Sequence, residues 1–223
     1  MKLRTAVLPL LAVCLGASYV ALHPGVALAE PRFSGGATAQ ANTTTAYTID
    51  PMHAGIYFEI THLGLSKVTG RFNKFSGKIV EDDKDLTKSS VEFTAQVDSI
   101  DTAVAPRDEH LRTADFFEVA KYPTLSFKST KVEKSGDRYV VTGDLTIKGK
   151  TKSVAIPFTH HGPYTMEMGE TVTRIGVMAE PITLKRSDFG VGSQDKLPDG
   201  TVGASDEVTV RISFEAIKDK PAS

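Results

Sequence analysis

Residues 139–158 read YVVTGDLTIKGKTKSVAIPF and contain the clearest indication of the fold. Apolar residues alternate with polar ones on both sides of a central turn, Lys148-Gly149-Lys150. Because successive side chains of a β-strand point to opposite faces, the alternation places one apolar row on one face of each strand. The stretch therefore predicts two strands, each with an apolar face and a polar face, joined by a tight turn.

The same period-two pattern runs through most of the chain. It recurs, with polar turn sequences between the runs, at residues 56–61, 91–98, 124–128, 175–179 and 208–214. Strands of similar length separated by polar turns indicate an all-β antiparallel sandwich or barrel. A barrel is favoured because one face of every strand is apolar, and because closure of a sheet removes its exposed edges.

One segment breaks the alternation. Residues 106–122 read PRDEHLRTADFFEVAKY. Pro106 suits the first turn of a helix, and Asp108 is favourable near a helix N-terminus. Asp115 could cap a second short helix over residues 116–119. We therefore expect one or two short helices, with the Phe116-Phe117 pair plugging or lining one mouth of a barrel.

The first 29 residues are typical of a secretory signal peptide. Lys2 and Arg4 form a basic start, residues 5–22 are mostly apolar, and Ala27-Leu28-Ala29 offers a small-x-small cleavage site. The single cysteine, Cys14, lies inside this segment, so the mature chain would contain no disulfide and no thiol. A signal peptide predicts a periplasmic or secreted product.

The rest of the chain divides into a linker, a domain and a tail. Residues 30–45 are rich in Gly, Ala, Ser and Thr and predict a flexible linker, residues 46–218 the folded domain, and residues 219–223 a tail. Signal cleavage would leave 24 basic and 27 acidic residues, a net charge of −3. This net charge predicts no nucleic-acid binding, and we expect no stable membrane insertion after cleavage.

No motif of a known catalytic type is present. The sequence contains no Gly-rich phosphate loop, no G-x-S-x-G elbow and no paired-histidine helix motif. A metal site needs three or four converging ligands, and the spacing of the histidines specifies none. By strand parity His62 and His160 should point inward, where a lone histidine is usually a hydrogen-bonded interior group. For His62 the functional alternative is a polar contact to a ligand head group.

Phenylalanines are numerous on the predicted inward faces. Small eight-stranded barrels are often filled by side chains, whereas others enclose a ligand. The alternation alone does not distinguish a filled barrel from a hollow one.

The order of motifs along the chain resembles the YceI-like family, a group of lipocalin-like polyisoprenoid-binding proteins. The resemblance spans about residues 47–217. It lies in residues 47–53 (YTIDPMH), 58–64 (FEITHLG), 68–77 (VTGRFNKFSG), 99–102 (SIDT), 107–117 (RDEHLRTADFF), 122–130 (YPTLSFKST), 143–152 (GDLTIKGKTK) and 186–190 (RSDFG). Each motif is short, but the ordered set is specific.

The resemblance implies an all-β, eight-stranded, antiparallel, extended lipocalin-like barrel with an apolar tunnel. It also implies a non-catalytic role, in which the protein carries or stores a long isoprenoid lipid of the polyprenyl or quinone type and has no other cofactor. Together with strand parity it predicts the ligand-binding residues Ile56, Phe58, Ile60, His62, Phe72, Phe75, Val91, Phe93, Val97, Arg107, Phe116, Phe117, Leu125 and Phe127. In this hypothesis His62 and Arg107 contact a polar head group, and the rest line the tunnel.

Two other hypotheses remain open at this point. One is a metal-dependent enzyme acting on the lipid, which depends on His62, His160 and His161. The other is a filled, non-binding barrel with a structural or stress-response role. An exposed strand face could also support a homodimer.

Overall fold

A computed structural model of the chain describes residues 43–167, 169–193 and 196–220. The predicted signal peptide, residues 30–42 of the predicted linker and residues 221–223 of the predicted tail lie outside the described residues. The first strand begins at Thr44, two residues before the predicted start of the domain.

The described residues form mostly β-strands. They are β1 (Thr44–His62), β2 (Ser66–Phe72), β3 (Phe75–Asp82), β4 (Ser90–Gln96), β5 (Ile100–Asp101), β6 (Thr124–Ser135), β7 (Arg138–Ile147), β8 (Lys150–Glu167), β9 (Thr171–Ala179), β10 (Ile182–Lys185) and β11 (Ala204–Lys218). All the pairings between these strands are antiparallel.

The sheet closes on itself because β1 pairs with β11. The long strand β1 pairs with β3 along its first half and with β2 along its second half. In the same way β11 pairs with β10 and then with β9. Strands β2 and β3 therefore share one position of the ring, as do β9 and β10. The prediction of an eight-stranded antiparallel barrel is confirmed.

Two short helices accompany the barrel. Helix α1 (Ala105–Arg112) carries Pro106 in its first turn, as predicted, and helix α2 (Arg186–Phe189) precedes the last strand. No helix in the described part of the chain is long and apolar enough to cross a membrane.

The prediction of a second short helix over residues 116–119 is wrong. This segment forms successive turns, and the second helix is α2 instead. Glu118 adopts a left-handed backbone conformation with φ of 53°, which interrupts any helix. The amides of Phe117 and Val119 donate to carbonyl groups near the end of α1, so the segment folds back onto that helix.

A bulge in β1 is held in place by an ion pair. The register with β11 shifts between Ile49 and Ala54. Inside this bulge the buried carboxylate of Asp50 accepts a 2.6 Å hydrogen bond from Nη1 of Arg174 on β9. The Arg174 guanidinium and the His53 ring lower the pKa of Asp50 from 3.8 to about 2. The charged form of Asp50 therefore stabilises the folded state.

We expect Asp50→Asn to lower the free energy of unfolding near neutral pH by about 2 kcal/mol. Because the folded-state pKa lies below that of the unfolded chain, this contribution is present above about pH 4 and is lost as the pH falls towards 2. Urea unfolding at a series of pH values measures it. Asp137→Asn, at an exposed turn, should change stability by less than about 0.5 kcal/mol. An Asp50→Asn penalty that stays constant down to pH 2 would refute the assignment.

Candidate functional site

The interior of the barrel is hollow. A cavity of about 200 Å³ occupies it, and every one of the eight ring positions contributes apolar side chains to its wall. Among these are Ile56 on β1, Ile156 on β8 and Val177 on β9. The filled-barrel hypothesis is thereby excluded for this interior, since the apolar rows surround space rather than one another.

A glycine in the wall lets an aromatic ring lie flat against it. Gly70 on β2 pairs with Phe58 on β1. A Cβ atom added at Gly70 would lie only 2.3 Å from Cζ of Phe58, so the ring occupies the space that any other side chain would need. Gly143 on β7 similarly makes room for the ring of Phe127. These phenyl rings therefore cover the wall instead of blocking the bore.

A second, wider cavity of about 510 Å³ continues the first towards the end of the barrel where β1 ends and β11 begins. Six residues line both cavities: Phe58, Phe72, Leu125, Ile147, Leu184 and Val210. We call these six residues the waist. Because the cavities share this ring of side chains, they form one apolar tunnel with an inner chamber and an outer chamber.

The mouth of the outer chamber carries two arginines. Arg107 donates from Nε and Nη2 to the hydroxyl and the carbonyl oxygen of Thr102, both at 2.7 Å. Arg186 donates to three backbone carbonyl groups, among them that of Val191. Burial lowers the pKa of Arg186, against the opposing field of Asp206.

Neither guanidinium forms an ion pair within the described residues. Their hydrogen bonds to neutral oxygens orient them without neutralising their charge. Arg186 is buried and Arg107 is half-buried, so an anionic group at the mouth would interact favourably with both positive charges.

The opposite end of the tunnel is closed by polar residues. His160 Nε2 lies 3.0 Å from Glu81 Oε2, and the side chains of His160 and Glu81 are only 11% and 9% exposed. These two residues and Leu86 separate the inner chamber from a polar pocket on the surface. As the described residues form it, the tunnel therefore has one mouth and one floor.

Twelve of the predicted ligand-binding residues line this tunnel. Ile56, Val91, Phe93 and Phe127 line the inner chamber, while Ile60, His62, Arg107, Phe116 and Phe117 line the outer one; Phe58, Phe72 and Leu125 belong to the waist. The Phe116-Phe117 pair thus lines the mouth region. His62 is exposed at the mouth.

Phe75 and Val97 do not line the tunnel. Val97 is buried, but it lies past the end of β4 in a 3-10 turn (Val97–Ser99), where strand parity no longer holds. The ring of Phe75 packs against that of Phe93, with 5.8 Å between centroids.

Sequence reasoning missed much of the lining from the second half of the chain. It omitted Leu145, Ile147, Val154, Ile156, Phe158, Ile175, Val177, Ala179, Val208, Val210, Ile212 and Phe214, all of which line the tunnel. Most of them belong to the alternating rows already recognised, so the same parity rule would have found them. No pattern in the sequence indicated that Arg186 would line the tunnel, because its position depends on how the chain folds at the mouth.

The histidines do not converge. His160 contacts Glu81 at the floor, His62 lies at the mouth, and the ring of His161 lies near the Thr159 hydroxyl on the outside. Within the described ranges no group of three or more His, Cys, Asp or Glu residues is arranged to hold a metal ion.

Comparison with known proteins agrees with this geometry. The family model described as a YceI-like domain matches residues 47–216. The chain is 37% identical to Protein YceI of Escherichia coli O157:H7 over 203 residues, which cover 88% of this chain and 97% of that protein.

Solved structures show the same fold. The YceI protein of Campylobacter jejuni superposes with a TM-score of 0.61 at 30% identity, covering 72% of this chain and 91% of that one. A polyisoprenoid-binding domain from Saccharophagus degradans superposes with a TM-score of 0.58 at 17% identity, covering 78% and 99%. The barrel, its tunnel and the extent of these matches together show that the chain belongs to the YceI-like family.

Proposed function

We propose that this protein binds a long isoprenoid lipid in its tunnel and carries or stores it in the cell envelope, without catalysis. The observation that carries the proposal is the continuous apolar tunnel that opens at the mouth. The Saccharophagus degradans domain, described as polyisoprenoid-binding, has the same fold and supports the same ligand class. The predicted signal peptide supports a periplasmic or secreted location.

The tunnel suits a chain longer than an ordinary acyl chain. Its lining on β1 runs from Ile49 to His62. At about 3.3 Å per residue, with the usual tilt of barrel strands and the bulge subtracted, this gives a bore of roughly 25 Å. One leaflet of a bilayer has an apolar depth of about 15 Å. A polyprenyl chain would fill the bore more completely than a typical lipid tail.

Burial of the chain supplies the affinity. Each methylene group moved out of water contributes about 0.8 kcal/mol, so a long chain binds tightly with few polar contacts. Apolar walls discriminate poorly between chains of similar shape, and we therefore expect a mixture of related lipids in the tunnel.

The test is the identity of the lipid that accompanies the protein from its native source. We expect mass spectrometry of an organic extract to show about one isoprenoid lipid per protein. Protein made in the same cells with the tunnel blocked by the Val210 variant described in the Discussion serves as the control. Equal lipid recovery from both proteins, or none from either, would refute the proposal.

The charged mouth favours an isoprenoid with an anionic head. We infer that Arg107 contacts such a head, because its guanidinium lines the mouth and has no carboxylate partner among the described residues. Arg107→Gln should weaken binding of a prenyl phosphate about tenfold and leave binding of the matching prenyl alcohol unchanged. Competition against a dye that fluoresces in apolar cavities measures both affinities.

The matched control is Arg71→Gln, which removes an arginine from the outer wall, where it pairs with Asp101. This variant should bind both lipids as the unaltered protein does. If Arg107→Gln weakened the binding of both lipids equally, Arg107 would affect binding through the structure of the mouth and not through contact with the head group.

A further inference from the structure

A turn beside the mouth exposes an apolar tip. The β1–β2 connection passes through Leu63 and Gly64, both with left-handed backbone conformations, to Leu65. Asn-Gly is the usual sequence for such a turn, and a leucine with positive φ is uncommon. Leu65 is 84% exposed, although a polar residue would serve the turn better. The turn therefore presents a large aliphatic side chain to its surroundings.

A second apolar tip lies next to the first. Lys196 and Val202 form a bridge that closes a short loop, and Leu197 and Val202 are 45% and 37% exposed. The amide of Leu63 donates to the carbonyl of Gly203 at 3.0 Å, so this loop adjoins the β1–β2 turn. We call Leu65, Leu197 and Val202 the apolar rim. Val202 also lines the outer chamber, so the rim is continuous with the tunnel wall.

Charged side chains surround the rim. Lys185, Arg107 and Arg186 line the mouth, and Lys196 adjoins Leu197; within the described residues none of these four lies within ion-pair distance of a carboxylate. Lys67 on β2 pairs with Glu59. Carboxylates lie among these cations: Asp199 accepts from the Thr201 amide, Asp206 accepts from Ser187, and Glu207 pairs in register with Lys185. The apolar rim is therefore surrounded by charges of both signs.

These observations point to one partner, a lipid bilayer surface. Aliphatic tips flanked by charged side chains match the boundary between acyl chains and head groups, and Val202 joins this rim to the apolar wall of the tunnel. We propose that the apolar rim inserts into a lipid bilayer so that the tunnel mouth opens directly onto lipid. The cargo would then pass between bilayer and tunnel without exposing its chain to water. This inference rests on the proposed function, since it assigns the surface through which the lipid enters and leaves.

The test compares vesicle binding with lipid binding. We expect the unaltered protein to sediment with vesicles of phosphatidylcholine and phosphatidylglycerol in a three-to-one ratio, and also with vesicles of phosphatidylcholine alone. The double variant Leu65→Asp/Leu197→Asp should bind the mixed vesicles about tenfold more weakly, because carboxylates replace both apolar tips and do not enter the acyl-chain region. Met52→Asp is the matched control, since Met52 is 85% exposed in the β1 bulge and does not line the mouth.

Detergent-dispersed prenyl lipid keeps the two proposals separate. The double variant should still take up this lipid, because Leu65 and Leu197 lie outside the tunnel lining. Uptake of lipid without vesicle binding by the unaltered protein would overturn the docking proposal alone. Vesicle binding that the double variant retains in full, or that Met52→Asp loses equally, would also overturn it. Failure to take up dispersed lipid would refute the proposed function instead.

Discussion

A tryptophan in place of Val210 is expected to empty the inner chamber of ligand. Val210 belongs to the waist, and its side chain faces the tunnel between Phe58 on β1 and Ile182 on β10. The indole would occupy the stretch of the bore that joins the two chambers. Excluding even several methylene groups from the inner chamber removes about 0.8 kcal/mol for each, so the affinity for a long prenyl chain should fall more than about a hundredfold.

The Val210→Trp substitution also introduces a fluorescent probe of the tunnel interior. The chain contains no tryptophan, so the new side chain is a single fluorophore. Ser213→Trp is the control, because Ser213 lies on the same strand but is exposed on the outer face. We expect this variant to bind lipid normally and to show the emission of a solvated indole. If Val210→Trp and Ser213→Trp bound a prenyl chain equally well, the tunnel would not be the binding site.

Gly70→Ala should narrow the tunnel from the neighbouring part of the wall, since Gly70 and Val210 both pair with Phe58. The added methyl group would take the place of the Phe58 ring, and the atoms that it meets are the far end of that ring and not backbone. The Phe58 ring can therefore move without unfolding of the barrel. The free space beside it is the bore of the tunnel at the waist, so the displaced ring would obstruct that bore. We expect about a fiftyfold loss of affinity for a long prenyl chain, with little change in thermal stability.

The chain offers a control on its outer surface. Gly55 is covered by the ring of Tyr57 in the same way, at 2.3 Å, but Tyr57 is exposed. Gly55→Ala should displace an outer ring and leave lipid binding intact. Phe58→Leu in the Gly70→Ala background should restore binding, because the smaller side chain no longer fills the waist. Loss of binding in Gly55→Ala, or no recovery in the double variant, would contradict this account of the wall.

Strand parity predicted the direction of most side chains correctly, because the alternation of faces follows from backbone geometry alone. It placed Phe58 and Phe127 on the interior, where the structure has them. It could not decide between a filled and a hollow barrel. That outcome depends on where the rings turn, and Gly70 and Gly143 direct them to the wall through contacts with residues distant in sequence.

The errors come from places where the chain departs from regular strands. Val97 follows the alternating row of β4 by one position, but the strand has already ended at Gln96. The expected helix after Asp115 failed because Glu118 takes a left-handed conformation and the backbone bonds to the end of α1. Arg186 is held at the mouth by hydrogen bonds that it donates to the carbonyl groups of residues 191, 204 and 205. Local sequence does not encode such tertiary partners.

The pairing of Glu81 with His160 has a consequence for the kinetics of exchange. Because Glu81 and His160 close the far end of the tunnel, a second lipid cannot displace the bound lipid from that end. Both lipids must therefore pass through the same mouth, one after the other. Departure of the first lipid then precedes arrival of the second. The exchange of bound lipid should therefore be first-order, with a rate constant that does not depend on the concentration of competing lipid. Between departure and arrival the empty apolar chamber can stay free of water.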